Sequence, residues 1–228
     1  MFSATAEFYD AIYGFKDYAG EAVKIRQLIA RERPGAGTIL DIACGTGEHA
    51  RFLSPDFEVD GIDLEPKFVE IARAKNPAGN FSVADMRAFH LEKRYDVVQC
   101  LFSSIGYLLT PEDIIASLKC FRTHLAPGGV ILVEPWPAYK VGQLHMVTVD
   151  KPELKVCRIN VSKREGDISV LHFHYLIATN EGVRKAEEVH RLALVPPEQM
   201  AAHFEAAGLC CAFDPVGLCN RGLFIAHQ

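Results

Sequence analysis

Between residues 38 and 134 the chain alternates short apolar runs with segments of helical spacing, and this alternation limits the folds that it can adopt. The first run is "TILDIA" and the last is "GVILVE". Strands that alternate with helices at this spacing form a parallel sheet with helices on both faces. Burial on both faces also explains why the runs are continuously apolar. We therefore predict an α/β fold with a parallel-dominated sheet of seven strands, of which "LCCAF" and "GLFIAH" supply the last two.

From about residue 144 to 195 the pattern changes to alternating polar and apolar residues. Turn residues interrupt this stretch at Glu165-Gly166-Asp167 and at Asn180-Glu181-Gly182. Alternation with such turns predicts an antiparallel β-meander of three or four strands, inserted after the fifth strand of the main sheet. We therefore predict a core formed by residues 1–137 and 196–228, and a smaller antiparallel subdomain formed by residues 138–195.

Charge and composition exclude several classes of partner. The net charge is −5 and the pI is about 6.0, whereas nucleic-acid binding needs a basic surface. No apolar run reaches the roughly 18 residues of a membrane span, and the N-terminus lacks the layout of a signal peptide. The seven cysteines have no framework spacing, which is typical of reduced thiols in a cytoplasmic protein. We expect a cytoplasmic protein with no nucleic-acid and no membrane partner.

Metal-binding motifs are missing from the sequence. Neither CxxC nor HExxH occurs, and the neighbouring strand residues His172 and His174 have no evident third ligand. Since a zinc site needs at least three protein ligands, we predict no metal centre.

The stretch "LDIACGTG" joins the first strand to a helix through a glycine turn, which is typical of sites for nucleotide-like cofactors. A dinucleotide fingerprint needs a third glycine, and here only Gly45 and Gly47 fit the pattern. Asp41, at the end of the strand, would repel a pyrophosphate but suits a cationic ligand. S-adenosylmethionine is such a ligand, because it carries a sulfonium and an ammonium and no phosphate. The turn therefore favours S-adenosylmethionine over NAD.

Two further acidic residues follow the second and third strands. Asp63 ends "VDGID", where a carboxylate accepts hydrogen bonds from both ribose hydroxyls. Asp85 suits an adenine amino group, with Met86 packed on the ring. Taken singly, either aspartate also suits a helix N-cap and Met86 suits the core. The joint arrangement, with an acid after each of the first three strands, favours a cofactor site.

These positions resemble the motifs of class I S-adenosylmethionine-dependent methyltransferases, which have a Rossmann-like sheet. The resemblance rests on "LDIACGTG", "GIDL", "ADMRAF" and "LKCFRTHLAPGGVILVE". Further stretches resemble the sugar-nucleotide N,N-dimethyltransferases of antibiotic deoxyaminosugar pathways, namely "YDAIYGFKDYAGEA", "FSSIGYL", "VEPW", "SKREG" and "GLCNRGLF". The similarity runs from about Phe8 to Ile225 and implies N-methylation of an amino sugar nucleotide.

The resemblance also implies roles for individual residues. The implied cofactor contacts are Tyr9, Tyr18, Asp41, Ala43, Cys44, Gly45, Gly47, Asp63, Leu64, Asp85, Met86 and Leu101. Tyr107 matches a His or Tyr near the acceptor nitrogen and is the implied catalytic residue. The implied substrate contacts are Trp136, Arg158, Arg164 and Arg221, since guanidinium groups pair with phosphate in a bidentate way. In relatives the region after Trp136 covers the acceptor or joins subunits, which leaves a homodimer open.

The methyl acceptor itself stays open at this point. Phe2 stands where aminosugar-modifying relatives carry a tyrosine, and the loop after Tyr13 is one residue shorter than theirs. The alternative is an O- or N-methyltransferase of another small metabolite. The Asn/Asp-Pro-Pro-aromatic motif that methylates nucleic-acid bases is absent after the fourth strand. A non-catalytic cofactor sensor and an NAD dehydrogenase represent the other classes of function.

Overall fold

The computed structural model describes residues 5–138 and 141–228, and its main element is a seven-stranded sheet in the order β3-β2-β1-β4-β5-β11-β10. The strands of this sheet are β1 (Thr38–Ile42), β2 (Glu58–Asp63), β3 (Phe81–Val83), β4 (Tyr95–Cys100), β5 (Leu125–Val133), β10 (Cys210–Asp214) and β11 (Leu223–His227). Strands β1 to β5 are parallel, whereas β11 runs antiparallel to both β5 and β10. The predicted α/β sheet is therefore confirmed.

Helices cover the two faces of this sheet. In the described residues they are α1 (Tyr9–Ile12), α2 (Tyr18–Glu32), α3 (Glu48–Leu53), α4 (Pro66–Lys75), α5 (Pro111–Thr123) and α6 (Pro197–Ala206), with short 3-10 helices at Ala6–Phe8 and Ser104–Tyr107. Helix α2 begins where the Asp17 carboxylate accepts a hydrogen bond of 2.9 Å from Gly20 N. Helix α5 begins in the same way at Thr110, followed by Pro111, whose missing N–H costs nothing at that position.

The core lies on both faces of the sheet, because neighbouring residues of β1 point in opposite directions. Leu40 belongs to a fully buried cluster with Phe121 of α5, and Ile39 belongs to a second buried cluster with Ile25 of α2. Burial of this kind on both faces anchors β1, so that the turn after its carboxyl end is held on a rigid base.

A separate four-stranded antiparallel sheet follows the fifth strand, as the meander pattern predicts. Its strands are β6 (Leu144–Lys151), β7 (Leu154–Glu165), β8 (Ile168–Thr179) and β9 (Gly182–Ala193), paired in sequence order. Side chains alternate between its faces: Arg158 and Asn160 are buried on the inner face, whereas Ile159 and Val161 are exposed on the outer face. The inner face packs on the helix at Ser104–Tyr107 and on α1.

The structure differs from the sequence-based expectation at strand β5 and at the N-terminal helix α1. Strand β5 begins at Leu125 rather than near Val130, because Leu125 already pairs with Tyr95 before a break in the strand register. The N-terminal helix α1 was not predicted, since it is a single turn; it buries Tyr9 and Ile12 against Phe68 and the inner face of the antiparallel sheet. Among the described residues, no helix combines the length and the apolar character that crossing a bilayer requires.

Candidate active site

The glycine turn after β1 depends on left-handed backbone conformations. Ala43, Gly45 and Gly47 have φ angles of 54°, 56° and 73°. A Cβ on Gly47 would lie 2.5 Å from Nδ2 of Asn76, whose side chain donates a hydrogen bond of 3.1 Å to Gly47 O. A Cβ on Gly45 would meet nothing within 4 Å. Gly47 therefore supports the turn from behind, whereas Gly45 leaves space in front of it.

Asp41 carries an unsatisfied carboxylate beneath this turn. Its side chain is 2 % exposed, and its Oδ2 atom has no hydrogen-bond partner. Burial raises the pKa of Asp41 to about 6, because water no longer stabilises the charged form. A buried acceptor without a donor is costly, and a cationic group of a ligand would satisfy it. The ammonium of S-adenosylmethionine is such a group.

Asp63 ties the end of β2 to the glycine turn. Its Oδ2 accepts a hydrogen bond of 2.8 Å from Gly45 N, and its Oδ1 accepts one of 2.9 Å from Glu65 N. Burial is the main cause that raises the pKa of Asp63. The neighbouring Leu64 is exposed. The carboxylate is thus fixed at the sheet edge, with lone pairs left for the two hydroxyls of a ribose.

Asp85 and Met86, which follow β3, both make contacts within the protein. Asp85 accepts hydrogen bonds from Arg87 through both carboxylate oxygens, the shortest being 2.6 Å from Nη2, and Arg87 holds the pKa of Asp85 below its usual value. Met86 packs against the buried cluster around Phe121. Their contact with adenine stays a prediction.

A small cavity of about 40 Å³ lies in front of the turn. Its lining includes seven of the residues predicted to contact the cofactor: Tyr9, Tyr18, Asp41, Ala43, Cys44, Gly45 and Leu101. This cavity is smaller than typical small-molecule sites, which have about 300 Å³ or more, and its lining does not include the predicted ribose and adenine contacts Asp63 and Asp85. The orphaned Asp41 oxygen and the open space at Gly45 fit a cationic adenosyl ligand.

A larger cavity of about 520 Å³ lies between the antiparallel sheet, α1 and the helix at Ser104–Tyr107. Tyr9, Phe102 and Ser104 line both cavities, so the two are direct neighbours. We call the small cavity the donor cavity and the large one the acceptor cavity.

Arg158 is the main charge of the acceptor cavity. Its side chain is 6 % exposed, and its Nε and Nη1 atoms have no hydrogen-bond partner. The guanidinium lies 5.0 Å from the ring centre of Tyr13 and 4.8 Å from that of Phe173. These rings hold the cation in place and leave N–H groups free for an anionic ligand.

The other predicted substrate residues have different positions. Trp136 and Arg221 line the acceptor cavity, and Arg221 donates a hydrogen bond of 3.2 Å to Ser103 Oγ. Arg164 does not reach this cavity. It lies at the exposed tip of the β7–β8 hairpin, where it binds Gly166 O and the Asp167 carboxylate. The alternation of polar and apolar residues along a strand predicts which face of the sheet a residue lies on, but it does not predict how far along the strand the cavity lies.

Tyr107 lines the acceptor cavity, as expected of the implied catalytic residue, and its hydroxyl lies 2.8 Å from Nδ1 of His190. Burial raises the pKa of Tyr107 well above its ordinary value, so the phenol stays neutral. His190 was missed from the sequence, and so was Glu188, whose Oε2 is 3.5 Å from His190 Nε2. Both are alternate residues of β9 on the inner face, so the period of two in "EEVHRL" was the available signal.

Comparisons with known proteins agree with this geometry. Residues 39–129 match the family model described as a methyltransferase domain. The dTDP-3-amino-3,6-dideoxy-alpha-D-glucopyranose N,N-dimethyltransferase of Streptomyces fradiae is 40% identical to this chain, over 96% of this chain and 89% of that protein.

Two solved structures are similar over nearly the whole chain. Streptomyces venezuelae DesVI has a TM-score of 0.91 and 36% identity, with 97% of each chain covered. CalS10, an amino pentose methyltransferase from Micromonospora echinaspora solved with bound S-adenosylmethionine, has a TM-score of 0.83 and 32% identity, with 92% of this chain and 91% of that chain covered.

Proposed function

This chain belongs to the S-adenosylmethionine-dependent methyltransferases, in the family of the dTDP-aminosugar N,N-dimethyltransferases, and we propose that it methylates the amino nitrogen of a dTDP-linked amino sugar. Three relatives of 33% identity or more carry N,N-dimethyltransferase activity toward such sugars in their names. The alternative is methylation of a hydroxyl or amine in another small metabolite.

The observation that carries the proposal is the buried guanidinium of Arg158 in the acceptor cavity. Burying a cation with two unsatisfied N–H positions is costly unless a ligand supplies acceptors. A diphosphate supplies several charged oxygens in the geometry that a guanidinium binds best. Arg221, which also lines the cavity, adds a second cation. A neutral metabolite would leave both charges without a counterion.

The neighbouring cavities support an in-line transfer. S-adenosylmethionine, when bound, supplies a methyl group on a sulfonium, which is already a good leaving group. The work left to this chain is therefore to bind and orient the two partners so that the nitrogen lies about 3 Å from the carbon that it attacks. Asp41 and Asp63 would bind the ammonium and the ribose hydroxyls of the donor. Tyr9, Phe102 and Ser104 line both cavities at their junction.

Tyr107 would contact the acceptor nitrogen. Its hydroxyl is held by His190 at 2.8 Å, and it stays neutral because burial raises its pKa. A neutral phenol oxygen accepts a hydrogen bond from an amine N–H and directs the nitrogen lone pair away from itself, toward the donor cavity. Positioning of this kind needs no strong base.

The proposal is tested by mass spectrometry of products. Purified protein is incubated with S-adenosylmethionine and either a dTDP-3-amino-3,6-dideoxyhexose or the matched dTDP-sugar with a hydroxyl in place of the amine. We expect methylated product from the amine and none from the hydroxyl sugar. Methylation of the hydroxyl sugar alone, or of neither sugar, would overturn the proposed acceptor and favour another small metabolite.

A further inference from the structure

The hydroxyl of Tyr107 is the first member of a buried chain of polar groups. His190 is buried, with only 1 % of its surface exposed. Its Nδ1 atom is hydrogen-bonded to the Tyr107 hydroxyl at 2.8 Å. The Nε2 atom of the same ring faces Glu188 Oε2 at 3.5 Å. The chain therefore runs from the acceptor cavity into the inner face of the antiparallel sheet.

Glu188 is held firmly at the far end of this chain. Its Oε1 accepts a hydrogen bond of 3.0 Å from the Thr5 hydroxyl, and its Oε2 accepts one of 3.1 Å from the Tyr175 hydroxyl. Burial raises the pKa of Glu188, but His190, Thr5 and Tyr175 together hold it below its ordinary value. Glu188 is thus ionised, and it orients the imidazole.

The orientation fixes which nitrogen of His190 is basic. A carboxylate only accepts hydrogen bonds, so Nε2 of His190, which faces Glu188, carries the ring proton. Nδ1 then carries the lone pair and accepts the O–H of Tyr107. This arrangement has the order of donors and acceptors that a proton relay requires.

The acceptor needs such a relay. An alkyl amine is largely an ammonium near neutral pH, because its pKa is about 10. An ammonium has no lone pair, so it must lose a proton before the first transfer, and the N-methylammonium product must lose another before the second.

We propose that His190 and Glu188 act through Tyr107 as a relay that removes this proton, an inference that rests on the proposed amine acceptor. The N–H bond of the ammonium breaks as its proton passes to Tyr107 Oη. The original Tyr107 proton passes to His190 Nδ1, so the phenol stays neutral. The imidazolium is balanced by the Glu188 carboxylate, and it returns the proton to water when the spent cofactor is exchanged.

The surroundings of His190 set its basicity. Burial lowers its pKa, Glu188 raises it, and the Arg158 charge lowers it. The other titratable groups around the relay are Tyr13, Tyr107 and Tyr175, which burial keeps neutral. The net shift leaves His190 unprotonated at neutral pH and ready to accept a proton.

A second His–Glu pair in the same sheet provides a matched control. His174 Nδ1, on β8, lies 3.2 Å from Glu187 Oε1, on β9, the strand that carries the relay pair, but both side chains are exposed on the outer face. A variant of this pair therefore perturbs β9 or its neighbour without touching the acceptor cavity.

The test is the pH dependence of kcat for amine methylation in His190→Gln, Glu188→Gln and Tyr107→Phe, with His174→Gln and Glu187→Gln as controls. Near pH 7 we expect kcat to fall roughly 30-fold in His190→Gln and about 10-fold in Glu188→Gln, with KM for the acceptor and binding of S-adenosylhomocysteine unchanged. As pH rises toward 9, activity of His190→Gln recovers by up to about tenfold per pH unit, because the free amine forms without help.

The outcomes separate the relay from its premise. If wild type methylates the amine and His190→Gln and Glu188→Gln lose activity equally at every pH, or keep it, the relay is wrong and the proposed function stands. If the wild-type protein does not methylate the amine, the proposed function is wrong, and the relay, which depends on it, is wrong as well. Should His190→Gln fail to bind S-adenosylhomocysteine, Glu188→Gln decides by the same pH profile.

Discussion

The donor cavity and the acceptor cavity share a wall but are built in different ways. The donor side comes mostly from one strand, one turn and the next strand end, with Asp41 buried in β1 and Asp63 held by two backbone N–H groups. The acceptor side combines α1, the Ser104–Tyr107 helix and the antiparallel sheet. The first site is therefore local in sequence, whereas the second depends on how distant segments pack.

Their charges are also opposite. The donor cavity presents the unsatisfied carboxylate of Asp41, and the acceptor cavity presents the unsatisfied guanidinium of Arg158. A cationic donor and an anionic acceptor thus each find a complementary site. We therefore expect variants in the donor cavity to change binding of the cofactor alone, and variants in the acceptor cavity to change binding of the amino sugar alone.

The largest effect is expected from Asp63→Ala. Loss of charge-assisted bonds to the ribose should weaken S-adenosylhomocysteine binding by about 3 kcal/mol, or roughly 100-fold. Calorimetric titration measures this affinity. Asp56→Ala is the control, because its exposed carboxylate is paired with Arg26 outside both cavities and we expect an effect of threefold or less, on the scale of an exposed ion pair. Equal losses in both variants would mean that the ribose is not held by Asp63.

Arg158→Met tests the acceptor side. Methionine keeps the packing between Tyr13 and Phe173 but removes the charge, so we expect KM for a dTDP-amino sugar to rise by about 50-fold, or ~2.3 kcal/mol. Affinity for S-adenosylhomocysteine should not change. Arg164→Met, on the same strand at the exposed hairpin tip, should keep the wild-type KM. If the two variants behave alike, the diphosphate lies outside the acceptor cavity.

Gly47→Ala should destabilise the donor side. An alanine side chain would strain the left-handed backbone and press on Asn76, so we expect the free energy of unfolding to fall by about 2 kcal/mol. Thermal unfolding measures this loss as a lower midpoint temperature. Gly166→Ala, in the antiparallel sheet, has the same kind of φ angle with nothing near its Cβ, so we expect about 1 kcal/mol. A larger loss at Gly166 would show that the hairpin, and not the turn, limits stability.

The smallest effect concerns pH. Because the pKa of Asp41 is raised to about 6 by burial, the carboxylate is partly protonated below that pH in the protein without cofactor. A cationic ligand binds the ionised form, so affinity for S-adenosylhomocysteine should fall by about tenfold, or ~1.4 kcal/mol, from pH 7 to pH 5. Asp41→Asn should bind more weakly at pH 7 and lose most of this dependence. An unchanged slope in that variant would place the titrating group elsewhere.

The contrast between the sites also explains what the sequence revealed. The parallel sheet and the glycine turn were predictable because each depends on neighbouring residues: an apolar run forms β1, and the turn follows it directly. Asp41 and Asp63 were predictable for the same reason, since both end strands whose carboxyl ends meet at one sheet edge.

The acceptor side was predicted only in part. Arg158 and Arg164 received the same prediction because the resemblance implied a substrate contact for both, and only the packed structure separates the cavity from the hairpin tip. His190 and Glu188 were missed because the period of two in β9 gives the face that they share but not the contact of His190 with Tyr107, which depends on packing. The two-domain division, the homodimer and the cytoplasmic location stay predictions. Phe2 lies outside the described residues.

The most direct test is a crystal structure with S-adenosylhomocysteine and a dTDP-amino sugar bound together. The decisive measurement is the position of the sugar nitrogen. We expect it within about 3.2 Å of Tyr107 Oη, with the diphosphate on Arg158 and the thioether sulfur facing the nitrogen across Tyr9 and Phe102. A sugar bound with its amine turned away from Tyr107, or a diphosphate that leaves Arg158 unsatisfied, would contradict the assignment of the two cavities.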